Sequence, residues 1–225
     1  MPLADDQLKL MGVKTLDLAL LNIETGKSNM ASNMCLRMLK EFSSMHDLLV
    51  KWIAGIYSHI YLEYGDEVLY AVNYASCQLW MSQLISLYKD ADPEGRLKLL
   101  CGGFRGHMTG LNVEEDEEKF TVAMQPCGSG GKLVLDGAYD KPAGLARVKR
   151  PQPQTLGKSN FPVYCTHCAM QEIIPIEVMG TPLFITDPPE GDEIGNVPCR
   201  VYIYKTASAI PSKFYERLGK VKPEC

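Results

Sequence analysis

Phe120-Thr121-Val122-Ala123-Met124, running through Gln125 into Pro126-Cys127-Gly128-Ser129-Gly130-Gly131, is the stretch on which the fold class turns. Upstream of about residue 110 the apolar residues recur at helical spacing. From residue 111 the period changes, and 120–124 gathers strand-forming residues in a short run bounded by turn formers. Leu133 and its neighbours at 132–135 read as a second strand beyond the glycines, and further strands are expected at 182–186 and 199–204. Upstream, helices are expected at 28–42 and, capped by Ser43 or Ser44, at 45–64. In the second of these Leu48, Trp52, Ile56 and Ile60 recur every fourth residue, as a buried face does. Gly65 ends that helix, Asp66 starts another reaching about Lys89, and Asp92-Pro93-Glu94 starts a third that weakens at Gly102-Gly103. Residues 137–162 read as a long irregular loop, 166–174 as a short helix and 210–219 as a closing helix. Helices first and antiparallel strands afterwards predict a single α+β domain over residues 1–225, in which a helical N-terminal half (1–110) packs on an antiparallel sheet in the C-terminal half (111–225).

The chain has 225 residues, 46% hydrophobic and 22% charged, the composition of a globular protein with a sizeable core. A net charge of -4 with scattered basic residues excludes nucleic acid and anionic membrane from the expected partners. The basic stretch Arg147-Val148-Lys149-Arg150 and the acidic run Glu114-Glu115-Asp116-Glu117-Glu118 both read as solvated turns. Charges interrupt every apolar run well before about 18 residues, so no membrane-spanning helix is expected. The acidic N-terminus lacks the pattern of a secretory signal. The expected location is therefore cytoplasmic, where eight cysteines stay reduced or bind metal.

Cys165-Thr166-His167-Cys168 carries the most chemistry. Two thiolates separated by two residues sit on one side of a turn and can close on one metal ion. A thioredoxin-type redox role is the rival, but no β-α-β pattern flanks the motif. A structural zinc takes four ligands and a catalytic one about three plus water, so other residues must contribute. Cys127 and Cys199, each following a proline in the sheet half, are the candidates, with His167 or Glu172 as substitutes. Gly128, Gly130 and Gly131 would let the backbone approach a metal, cofactor or anion closely. Cys35, Cys77 and Cys101 read as packed thiols, and the terminal Cys225 as exposed. His46 and His167 are the candidate proton carriers. Successive residues on a helix point about 100° apart, so His46 is not expected to pair with Asp47, which can instead meet Lys51.

Together, Met45-His46-Asp47-Leu48, Pro126-Cys127-Gly128-Ser129-Gly130-Gly131, Tyr164-Cys165-Thr166-His167-Cys168 and Pro198-Cys199-Arg200 resemble a group of bacterial proteins allied to the L-2-amino-thiazoline-4-carboxylic acid hydrolases. More distantly, they are similar to the small-molecule-binding domains named after vinyl reductase. The resemblance spans about residues 30–219. It implies an α+β fold with a ligand pocket between helices and sheet, and a cysteine-bound zinc like that of some vinyl-reductase-type sensors. It supplies no catalytic set.

Three function classes follow. The first is a metal-dependent enzyme, with zinc or an Fe-S cluster as cofactor, acting on a small organic molecule as a hydrolase or lyase. Cys127, Cys165 and Cys168 would hold the metal and leave one position open, so that at most three of the four cysteines ligate. The second is a sensing domain with a structural zinc. The third is a metal-free hydrolase with Cys127 as nucleophile. A homodimer is an arrangement open to all three.

Overall fold

The computed structural model describes residues 5–124, 126–140 and 144–224, so that Cys225 lies outside the described residues. By its internal contacts the chain divides into two compact units, residues 1–49 and 50–225. In the first, α1 (Asp5–Met11), α2 (Thr15–Glu24) and the beginning of α3 (Ser28–Tyr88) follow one another. Thr15 Oγ1 donates to Glu41 Oε2 at 2.7 Å, tying α2 to α3. Among the described residues of this unit the buried apolar ones are Ala19 and Ala31, while sixteen large apolar side chains, from Leu8 to Leu49, are exposed.

In the second unit α3 continues to Gly65, whose φ of 81° and ψ of -170° break the helix. A residue with a Cβ is strained at that φ, which is why glycine stands there. Beyond it the helix folds back: Tyr57 meets Ser76 and Cys77 across the turn, residues nearly equidistant from it. α4 (Pro93–Arg105) has proline at its first position, and Asp92 accepts from the Gly95 amide at 2.7 Å.

A four-stranded sheet follows, in the order β1-β2-β6-β5, with every pair antiparallel. β1 (Leu111–Glu115) and β2 (Lys119–Met124) form a hairpin; β5 (Ile185–Asp187) and β6 (Cys199–Tyr204) arrive much later in the chain. Alternate residues of β2 (Phe120, Val122, Met124) and of β6 (Val201, Ile203) share the buried face, as the period of two demands. Between β2 and β5 lie α5 (Gly130–Leu135), the short pair β3 (Arg147–Val148) and β4 (Phe161–Pro162), and α6 (His167–Met179). The core joins the sheet to α6 (Ala169, Met170, Ile173), to the returning half of α3 (Cys77, Met81, Tyr88) and to α4 (Leu100, Cys101). α7 (Lys213–Glu216) closes it with Phe214 and Tyr215. The architecture is the expected α+β, and among the described residues no helix is long and apolar enough to cross a membrane.

Several local expectations are corrected. No helix starts at Ser43 or Ser44; the helix is continuous there, and Ser44 Oγ donates to the Lys40 carbonyl at 2.8 Å instead of capping. The expected buried stripe is exposed at Leu48, Trp52 and Ile56, while Val50, Ala54 and Tyr57 are buried against Leu133, Tyr164, Val148 and their neighbours. Ala54, with no exposure to solvent, lets the helix approach its neighbours closely. Residues 132–135 are helical, since the Cys127 and Ser129 carbonyls accept from the Lys132 and Leu133 amides. The segment 137–162 is built into the core through Val148, Leu156 and Phe161. Arg147 donates to the carbonyls of Asn160 and Gly191 rather than facing solvent. Glu114 and Glu115 belong to β1, and Asp116 makes the turn by accepting from the Glu118 and Lys119 amides.

Glu172 on α6 is the one fully buried acid of the core. It accepts from Arg217 Nη2 at 2.9 and 2.8 Å and from the Thr186 amide at 2.7 Å, joining α6, β5 and the segment after α7. Burial pushes its carboxyl up to about 7, against the pull of the Arg217 charge and the Thr186 amide. Such a group binds its proton more tightly in the fold than in the unfolded chain, so stability falls as pH rises from 4.5 to about 7. Urea denaturation should show a decline on the order of 3 kcal/mol across that window, and Glu172→Gln should flatten it. An unchanged slope in Glu172→Gln would assign the pH dependence to other groups.

Candidate metal centre

Three separate segments deliver four cysteines to one place. Cys127 follows β2 and opens the glycine turn. A Cβ on Gly130 would overlap Cys165 Sγ, and one on Gly131 would stand 3.2 Å from Cys127 Cβ. Gly130 therefore lets this turn lie against the CxxC segment, while Gly131 makes room for Cys127 and for the backbone at Gly195. Gly128 serves elsewhere: a side chain there would overlap the His107 carbonyl.

The CxxC segment occupies the 3-10 turn Val163–Thr166 and the first turn of α6. Thr166, between the two cysteines, donates from Oγ1 to the Val163 carbonyl at 2.7 Å and accepts from Asn73 Nδ2 at 2.7 Å. Asn73 is fully buried on the returning half of α3. Cys199 is the first residue of β6, opposite Met124 and in phase with Val201 and Ile203, so its side chain faces the core.

Cys127, Cys165, Cys168 and Cys199 together line an enclosed cavity of about 30 Å³, with Gly130, Gly131, Ser129, Tyr164 and His167. Leu156, Phe161, Ile194 and Pro188 complete an apolar wall. Burial pushes the Cys165 and Cys168 thiols well up, and each is raised further by the other cysteines of the group. Cys199 is pushed up to about 12, by burial first and then by Cys127 and Asp187. Cys127 Sγ and Ser129 Oγ lie 3.6 Å apart.

His167 completes the group. Its Nδ1 lies 2.6 Å from the Tyr164 carbonyl, which can only accept, so Nδ1 carries the proton and Nε2 keeps its lone pair. That Nε2 lies 3.7 Å from Cys168 Sγ. Burial pulls the imidazole down and so favours its neutral form, opposed by the Tyr164 carbonyl.

Among the described residues no group of three or more His, Cys, Asp or Glu side chains stands ready-made as a metal-ligand set. The donor chemistry nevertheless fits one. Cys165, Cys168 and Cys199 resist ionising, because burial and the neighbouring thiols both penalise a thiolate there. A divalent cation supplies a counter-charge, and soft thiolates suit zinc or iron.

The other candidates fall elsewhere. Glu172 is engaged with Arg217 and Thr186 and is no substitute ligand. His46 lies in residues 1–49, where its Nδ1 approaches Asp47 Oδ1 at 3.1 Å, so the two neighbours do pair. A short side-chain rotation reaches across the 100° step that the helix imposes. Its ring also stacks on Phe42, with centroids 5.7 Å apart. Cys77 and Cys101 pack in the core as expected, and Cys35 is exposed on α3. Asn73 and Tyr164, which shape the site, carried no motif; a buried asparagine within a helix is a polar group in need of a partner, and that is the only signal the sequence held for it.

Changing Cys165 or Cys168 to Ser should lower zinc bound per chain at least tenfold by mass spectrometry of metal content, whereas Cys35→Ser should leave it unchanged. Gly130→Ala should act like a ligand change, since the added methyl displaces the Cys165 sulfur, and should cost about 1–3 kcal/mol of stability. Equal metal content in all four proteins would remove these residues from any metal site. Comparison of the chain with protein families, with curated protein sequences and with solved structures finds no match in any of the three.

Proposed function

We propose that this chain is a cytoplasmic zinc protein that acts on a small organic molecule, as a hydrolase or lyase, through a centre held by Cys127, Cys165 and Cys168, with Cys199 beside it and one coordination position left open. The observation that carries the proposal is the convergence of four cysteines from three segments on one enclosed cavity. Kinship with the L-2-amino-thiazoline-4-carboxylic acid hydrolases belongs to the same proposal. A bound zinc would supply a Lewis acid for a carbonyl, or a water acidified toward neutral pH. The protein supplies the rest. Tyr164 fixes the His167 tautomer through its carbonyl, so that Nε2 is available to take a proton at the cavity edge. Leu156, Phe161 and Ile194 exclude bulk water, which strengthens every charge interaction inside.

A second reading has its own support. Four sulfurs on one ion would close the coordination sphere, as in structural sites, and the protein would then be a small-molecule sensor. An Fe-S cluster is the variant of the first reading, and a Cys127 nucleophile without metal is the third. Metal analysis with an absorption spectrum separates them: one colourless zinc per chain is expected, a brown protein indicates Fe-S, and a metal-free folded protein sinks the proposal. X-ray absorption then counts sulfurs, with three favouring the enzyme and four the sensor. Given turnover of any substrate, His167→Ala should keep the zinc and lower kcat on the order of 100-fold.

We infer that the chain pairs with a second copy through residues 1–49. Met38, Phe42, Met45 and Leu49 of α3 recur at steps of four, three and four, the spacing of a coiled-coil seam, and all four are exposed. This unit has scarcely any core of its own, and its sixteen exposed apolar side chains approach the 20–30 residues that a stable interface uses on each side. Light scattering should give twice the chain mass of 25.0 kDa. Phe42→Glu with Leu49→Glu should halve it, and a monomeric unmodified protein would refute the pairing.

A further inference from the structure

We propose that a second cavity, beside the cysteine group, is the site of the organic ligand, and that this ligand is neutral, flat and mostly apolar. This deepens the functional reading above and rests on it only for the link to the metal. The cavity has a volume of about 410 Å³, within the range of small-molecule sites. It lies between the two halves of the α3 hairpin and the 3-10 turn that carries the CxxC. Ile56, Val72 and Trp80 supply its apolar walls, and Tyr57 and Ser76 its polar floor, with Ser76 Oγ donating to the Val72 carbonyl at 2.8 Å.

The decisive feature is the wall on the inner side. Tyr164 and His167 line both this cavity and the one that holds the four cysteines. Their rings meet edge to face with centroids 4.8 Å apart. A molecule seated on Trp80 therefore reaches the imidazole that also approaches Cys168. The two chambers share one partition, and the partition carries the only base.

The ligand class follows from what lines the site. None of its lining residues is Asp, Glu, Lys or Arg. A carboxylate, phosphate or ammonium seated against these walls would give up part of its hydration without gaining a counter-charge. An aromatic or unsaturated ring stacks on Trp80, and one hydroxyl or carbonyl group satisfies the Tyr57, Ser76 and His167 atoms. The amino-acid-like substrate suggested by the family resemblance, with its carboxylate, does not suit this lining.

The probe is 4-nitrobenzyl alcohol, a neutral ring that quenches indole fluorescence, compared with 4-nitrobenzoate, its anionic counterpart. The chain has two tryptophans, and only Trp80 lines the cavity. Titration should give saturable quenching by the alcohol and at least tenfold weaker binding of the benzoate. Trp80→Phe should remove the saturable component, leaving Trp52 to report on collisional quenching alone. Ile56→Glu, at a position 44% exposed and so tolerant of charge, should weaken binding of the alcohol at least fivefold. Linear quenching, equal affinity for the two probes, or saturable quenching that survives Trp80→Phe would each overturn the assignment. The titration is independent of metal. Saturable binding in a protein without zinc upholds this site while refuting the metal reading, and a zinc protein without such binding does the reverse.

Discussion

Asn73 donates to Thr166 from the middle of a helix, with no exposure to solvent. A buried amide of this kind is costly unless bonded, and its bond decides where the returning half of α3 meets the CxxC turn. Much of the second unit depends on that junction. It places Cys165 and Cys168 over the end of the sheet, sets Tyr164 and His167 as a wall, and leaves the second cavity between the helix hairpin and the turn. A helix-to-turn contact made by apolar packing alone would tolerate sliding; a directed hydrogen bond does not.

The site is assembled from groups that gain little by being together in the absence of a cation. Four thiols share a cavity, and burial with mutual repulsion raises the affinity of Cys165, Cys168 and Cys199 for protons. Glycines at 130 and 131 remove side chains so that the crowding can be closer still. Packing of this sort stabilises a fold less than an apolar filling would, and it is the arrangement expected where binding free energy is supplied by a bound ion. The same economy appears in the Glu172–Arg217 pair, which joins three elements at the cost of a buried charge.

The two units differ in what holds them. Residues 50–225 enclose a large core, with the sheet, α4, α6 and α7 all contributing. Residues 1–49 bury little beyond Thr15, Ala19 and Ala31 and expose leucines, methionines and Phe42. α1 and α2, of 7 and 10 residues, are shorter than helices that hold by themselves in water, so the hydrogen bond from Thr15 to Glu41 matters to this unit.

The α+β class was legible in the sequence because it rests on local periodicity: the helical stripes before residue 110, the alternation at 120–124 and 199–204, and the chain breaks at Gly65 and Asp92-Pro93. The four cysteines were legible as a group because a CxxC is a local spacing and prolines flag Cys127 and Cys199. Residues 132–135 were misread as a strand because Leu-Val-Leu suits either state, and the Cys127 and Ser129 carbonyls made the choice. Which face of α3 is buried, that Asn73 holds the turn, that Gly128 serves His107 while Gly130 serves Cys165, and that Tyr164 and His167 divide two cavities were decided only by the tertiary structure. Each depends on contact between segments tens of residues apart, and no pattern within a short window records such a contact.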